Sequence, residues 1–243
     1  MPEEQPSVVK KALLNNKVNA LHSDITNIRK IVYQKATYPG WGALILSSGD
    51  CRVDWNNDDK PYDANFAHEL LHLKLQLDGF CRYTNIGGEI RKDQVEEAKQ
   101  LLIFLDQVFQ HAKMIGPFLS MNFSKSFFYG SHDRDPSGLT NRYLKGKTTK
   151  IGLAMAYMNS ISPGGSITRK NRGDLVNAVL AKAGSNFEPC KEKIDKCLAE
   201  WEAQESLDHR DHLRTILREL VDFREMTIGP HGAIELGPDW FQV

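Results

Sequence analysis

The apolar positions of this chain fall into a few strongly periodic stretches. Phe66, Ala67, Leu70, Leu71, Leu73, Leu75 and Leu77 crowd residues 63–77 and predict a helix buried on most of its sides. Leu101, Phe104 and Val108 recur at intervals of three and four, and predict a long amphipathic helix over residues 92–114 that Pro117 breaks. Between these two, Asp78-Gly79 stops the first helix and Ile86-Gly87-Gly88 marks a loop. Upstream, Leu14, Val18, Leu21, Ile25, Ile28, Ile31 and Val32 keep helical spacing across residues 8–38, with Asn15 and Asn16 as an interruption, so this stretch reads as one amphipathic helix or two, ended by Tyr38-Pro39-Gly40. Residues 41–46 and 51–55 flank Ser47-Ser48-Gly49-Asp50 as the arms of a β-hairpin around a glycine turn.

Beyond residue 117 the pattern loosens. Residues 131–138 form a loop rich in titratable side chains, residues 151–158 a short apolar segment, and Ser162-Pro163-Gly164-Gly165 a boundary. Residues 173–183, 189–205 and 209–225 then read as three helices, and Gly229-Pro230 introduces a tail carrying Trp240 and Phe241. The expected fold class is α+β and predominantly helical, with a small β-hairpin or sheet. The expected division is a domain over residues 1–160 and a helical C-terminal region over 166–243.

Composition narrows the function classes. Lysine plus arginine (31) equal aspartate plus glutamate (31), with no long basic run, so neither a strong nucleic-acid footprint nor a membrane-surface footprint is indicated. Met1 to Pro6 is polar and acidic where a signal peptide needs a basic start and an apolar run, and no stretch reaches the roughly 18 apolar residues of a membrane span. A cytoplasmic location without membrane contact is expected. Cys51, Cys81, Cys190 and Cys197 include no CxxC pair, which argues against a disulfide scaffold or a thiolate zinc site.

The chemistry is concentrated in His68-Glu69-Leu70-Leu71-His72. On a helix, His68 and His72 lie one turn apart on one face, the spacing that lets both imidazoles grip one Zn2+ ion. Glu69 then stands beside the metal, where its carboxylate can take a proton from a zinc-activated water and return it to a leaving amine. Burial supports this reading, because two histidines and a glutamate within five residues of a buried helix are expensive to desolvate unless a cation compensates.

A catalytic zinc takes three protein ligands and leaves a position for water. The long second helix is the place to look for the third. Glu97 and His111 both fall on the stripe of Leu101, Phe104 and Val108, whereas Glu96 aligns with Gln100 and Gln107 on the wet side. An antiparallel helix brings Glu97 level with the metal; a shift along the axis, which the loop from Gly79 to Arg91 is long enough to allow, brings His111 there instead. Asp106 is a weaker third choice.

The stretch Asn65-Phe66-Ala67-His68-Glu69-Leu70-Leu71-His72, preceded by a hairpin and followed by Glu96-Glu97-Ala98, resembles the core of the ImmA/IrrE-like HExxH zinc metallopeptidases. The likeness covers residues 41–111. It implies a zincin-like core in which the HExxH helix packs on a second helix and an upstream strand aligns the substrate. It also implies that His68 and His72 are zinc ligands, Glu69 the general base and Glu97 the third ligand. The family's acidic helix carries an alanine–asparagine pair and small residues after the glutamate; here Ala98 is followed by Lys99-Gln100 and bulky apolar residues.

The expected function is therefore zinc-dependent hydrolysis of peptide bonds in a protein substrate, which the resemblance connects to a bacterial stress or mobile-element (phage) response. His132, Tyr129, Arg134 and Tyr143 are candidate oxyanion donors, and the strand over Cys51–Trp55 a candidate partner for an extended peptide. Two alternatives stand beside this: a non-catalytic zinc-binding module that docks a regulatory protein partner, and a sensor gated by such a partner or by nucleic acid. Contacts for the sensor would come from Arg169-Lys170-Asn171-Arg172 or His209-Arg210-Asp211-His212.

Overall fold

The computed structural model describes residues 5–58, 60–128, 144–145, 149–161, 169–232 and 239–243, with side chains excepted at 169–171. The fold is α+β and predominantly helical, as the periodicity predicts. Its Cα framework forms two compact units. The first takes in the described residues of Met1–Asp78 and Lys113–Asp135; the second takes in those of Gly79–Ala112, Pro136–Pro163 and Ile167–Val243. The proline–glycine cluster at 162–165 lies outside the described residues.

In the first unit the N-terminal stretch is two helices and a strand. Helix α1 (Ser7–Ala12) ends before Asn15, whose side-chain oxygen accepts from the backbone N–H groups of Lys17 and Val18 and so caps α2 (Asn16–Thr26). Helical spacing does not continue to residue 38. Ile31–Lys35 is strand β1, because Ile31, Val32 and Tyr33 are β-branched and aromatic residues that suit a pleat, and because a neighbouring strand is there to pair with them. The hairpin is present as β2 (Gly42–Ile45) and β3 (Cys51–Trp55), closed by Gly49 at φ 85°. The sheet order is β1-β3-β2, with β1 parallel and β2 antiparallel to the central β3.

Helix α3 (Tyr62–Leu77) covers one face of this sheet. Phe66, Leu70 and Leu73 are fully buried in one core cluster with Cys51 and Val53 of β3 and with Ile25 of α2. Each such side chain contributes about 1.5–3 kcal/mol by leaving water. Met114, Phe118 and Phe128 join the same cluster.

The second unit holds β4 (Tyr83–Ile90), most of α4 (Val95–Ser120), α5 (Lys150–Ile161), α6 (Arg169–Ala183), α7 (Glu188–Ala203), α8 (Arg210–Leu220), β5 (Phe223–Pro230) and β6 (Phe241–Gln242). Its strands pair in the order β4-β5-β6, all antiparallel. Two expectations are corrected in this region. Ile86-Gly87-Gly88 is the middle of a strand: a Cβ on Gly88 would stand 2.3 Å from the Glu225 carbonyl oxygen, and one on Gly229 would stand 2.2 Å from the Trp240 ring. These glycines mark close approach rather than a loop. The third C-terminal helix likewise stops at Leu220, and residues 223–225 begin β5.

Pro117 does not break α4 either. It lies in the final turn, where few backbone bonds remain to be lost, and the helix closes three residues later with Ser120 Oγ donating to the Pro117 carbonyl at 2.6 Å. Among the described residues no helix is long and apolar enough to cross a membrane.

Candidate metal centre

Three imidazoles converge. His68 and His72, one turn apart on α3, face each other with Nε2 atoms 3.1 Å apart. His111 on α4 completes the group, and the three candidate ligand nitrogens all lie within 4.8 Å of one another. His111 is two residues before Lys113, on the same unbroken helix whose final turns carry Met114 and Phe118 into the first unit's core. His68 and His111 are buried and His72 is half-buried.

The donor set fits a zinc-like ion. Two Zn–N bonds of about 2.0–2.1 Å at a tetrahedral angle hold their nitrogens roughly 3.3–3.4 Å apart, close to the spacing of His68 and His72. Imidazoles suit zinc and its neighbours in the transition series, and the buried rings need a cation or hydrogen bonds to offset the loss of water. An aromatic wall backs the group: the His68 ring lies 5.0 Å from Phe128 and 6.5 Å from Phe118, centroid to centroid.

The other predicted residues are placed as follows. Glu69 follows His68 on α3 and is half-buried. Glu97, which the resemblance favours as third ligand, is not with the histidines: it accepts a hydrogen bond from Thr149 Oγ1 at 2.9 Å. It sits fourteen positions before His111, or about 21 Å along the helix axis. The axial register of α4 therefore brings His111, and not Glu97, to His68 and His72. Asp106, the weaker candidate, is 1% exposed and spoken for by Arg82 Nε and Gln110 Nε2, each at 2.9 Å. Burial pushes its carboxyl up while the Arg82 charge opposes that shift.

Two further expectations change. The strand Cys51–Trp55 cannot take a peptide, since β3 is central and β1 and β2 occupy both its edges; β1 and β2 each keep an outer edge unpaired among the described residues. In His209-Arg210-Asp211-His212 only Arg210 and Asp211 are exposed, at the start of α8. His209 is fully buried, stacked on Phe80 at 4.4 Å and 3°, with Tyr83, Phe109 and Trp201 around it. Arg210 is occupied by Asp208. The loop residues Tyr129, His132, Arg134 and Tyr143 lie outside the described residues, as do the side chains of Arg169, Lys170 and Asn171.

One polar group escaped the sequence reading. Tyr38, a helix end in the sequence pattern, donates its hydroxyl to Asp54 Oδ2 at 2.8 Å, and Asp54 is ion-paired with Arg52 at 3.0 Å. A glycine at position 42 beside a bulky aromatic was the available signal. Comparison of the chain with protein-family models, with curated proteins and with solved structures finds no match.

Proposed function

We propose that this chain is a zinc-dependent peptidase in which His68, His72 and His111 hold the ion and Glu69 is the general base. The observation that carries the reading is the convergence of three imidazoles, two buried and one half-buried, from two helices, with Glu69 following His68 on α3. A bound divalent ion would supply Lewis acidity toward a carbonyl and lower the pKa of a water to near neutrality. Glu69 takes the proton from the attacking water and delivers it to the leaving amine. Phe118 and Phe128 limit bulk water on the His68 side, which strengthens the electrostatic interactions within the site. The open edge of β2, on the sheet that α3 covers, offers backbone groups to an extended peptide.

This reading keeps the kinship with the ImmA/IrrE-like peptidases as its source for the biology, a regulatory cleavage in a bacterial stress or phage response. It departs from that group in the third ligand, a histidine in place of a glutamate. Three neutral ligands leave the full dipositive charge on the site.

Glu69→Gln tests the proposal. The variant should keep its fold and its metal while losing hydrolysis, so its substrate accumulates uncut. Comparing the proteomes of cells that express wild type and Glu69→Gln, under stress and phage challenge, should reveal a protein shortened only by wild type. If no protein differs in length under any condition and the variant complements a deletion, the peptidase reading is wrong and a zinc-binding interaction module replaces it.

A further inference from the structure

Tyr38 combines an exposed ring with a committed hydroxyl. Its side chain lies beside the edge strand β2, and the residue is 44% exposed. Its hydroxyl donates to Asp54 Oδ2 at 2.8 Å, and Asp54, 3% exposed, is gripped on both oxygens by Arg52 at 3.0 and 3.2 Å. Arg52 and Asp54 alternate with Cys51 and Val53 along β3, so the polar pair projects from the face opposite the one that enters the core. Gly42 and Leu44 pair with Asp54 and Arg52 and share that outward face.

Gly42 is what allows the arrangement. A Cβ there would lie 2.4 Å from the Tyr38 hydroxyl oxygen, so this oxygen occupies the space in which residue 42 would otherwise carry a side chain. The hydroxyl keeps its proton: burial, the Asp54 hydrogen bond and charge, and the nearby Glu69 charge together push it up to about 12. With that proton given to Asp54, the oxygen has only lone pairs to offer a ligand.

A peptide strand added to the open edge of β2 has one residue directly opposite Gly42. Its side chain stands on the same outward face, about 4.5–5.5 Å away between Cβ positions, and so meets Tyr38. An acceptor-only oxygen requires a donor from that side chain. The two carboxylates near the hydroxyl, Asp54 and Glu69, outnumber the single Arg52 cation, so the donor is favoured if it is positively charged. The exposed aromatic face adds a cation–π contribution of the same sign.

We propose that Tyr38 is a specificity-determining residue whose hydroxyl accepts a hydrogen bond from the substrate side chain opposite Gly42, and that this side chain is a lysine or arginine. The inference rests on the peptidase reading above. Its test uses the zinc-loaded full chain, wild type and Tyr38→Phe, with quenched fluorescent peptides in which each position in turn carries lysine or its uncharged isostere norleucine. Wild type should prefer lysine at one position by about 10-fold in kcat/KM, the size of one charge-assisted hydrogen bond. In Tyr38→Phe that ratio should fall to within about 2-fold at that position. Zinc content and thermal unfolding establish that the variant is folded. A ratio that survives in Tyr38→Phe overturns the inference even if the variant slows both peptides, since a purely structural tyrosine would move the two rates together. So does a wild type that cleaves peptides without a basic preference at any position. A zinc-loaded wild type that cleaves none of the peptides removes the peptidase reading and this inference with it, which keeps the two failures distinguishable.

Discussion

Two histidine environments make opposite use of the same ring. His68, His72 and His111 point their nitrogens at one another, all candidate ligand atoms within 4.8 Å. His209 instead presents its faces, lying flat on Phe80 at 4.4 Å with Tyr83, Phe109 and Trp201 packed around it. The first arrangement needs a cation or hydrogen bonds to offset its loss of water; the second is an aromatic contact that a cation would spoil. Burial of histidine is thus no mark of a metal site; convergence of its nitrogens is the further observation that makes His68, His72 and His111 a candidate.

The contrast can be broken most decisively at His111. His111→Ala should reduce zinc affinity by more than the ~10–100-fold that loss of an outer hydrogen-bond partner costs, while Glu97→Gln should leave it nearly unchanged. Elemental analysis and competition with a chromophoric chelator would read both. Equal zinc retention in the two variants would mean that the three nitrogens do not form one site.

The next effect is smaller and belongs to His209. Desolvation by burial pulls its pKa down to about 4 from the ordinary 6.5. Protons therefore favour the unfolded chain across that interval. The stabilisation from keeping this ring neutral is fully present above pH 6.5 and is lost as the pH falls through 4, a change of about 3 kcal/mol. Denaturant unfolding of metal-free protein at pH 7 and pH 4, compared with His209→Phe, isolates this contribution. A variant with the same acid sensitivity as wild type would show that the ring is already charged or solvated.

The smallest change sharpens the comparison within the aromatic group. Trp201 Nε1 donates to the Phe109 carbonyl at 2.8 Å from a fully buried position. Trp201→Phe should cost about 0.5–1.5 kcal/mol in unfolding free energy, through the lost hydrogen bond, and leave zinc stoichiometry at the wild-type value. Loss of zinc in this variant would mean that the aromatic group supports the metal site after all.

How much of this was legible in the sequence depends on the reach of the interactions. Helix α3 and the hairpin were readable because their signals are local: apolar spacing, a glycine turn and the four-residue interval between His68 and His72. Strand β1 was read as helix because Ile28, Ile31 and Val32 satisfy both periods until β3 is there to pair with them. Strand β4 was read as a loop because the reason for its glycines lies with Glu225 and Thr227, far along the chain. His209 sits in a run of charged residues whose local composition suggests water, and only Phe80, Phe109 and Trp201, drawn from three separate segments, bury it. The choice between Glu97 and His111 was a question of axial register, which a periodic stripe leaves open by construction.

The interval between His68 and His72 has a genetic consequence. Leu70 and Leu71 can drift among apolar residues that keep the core filled, because what the two imidazoles require of the segment between them is a length. Deleting a single codon there would swing His72 by about 100° around the helix and about 1.5 Å along it, carrying its nitrogen out of reach of its 3.1 Å neighbour. The motif is open to substitution at some of its letters and closed to insertion or deletion at every one.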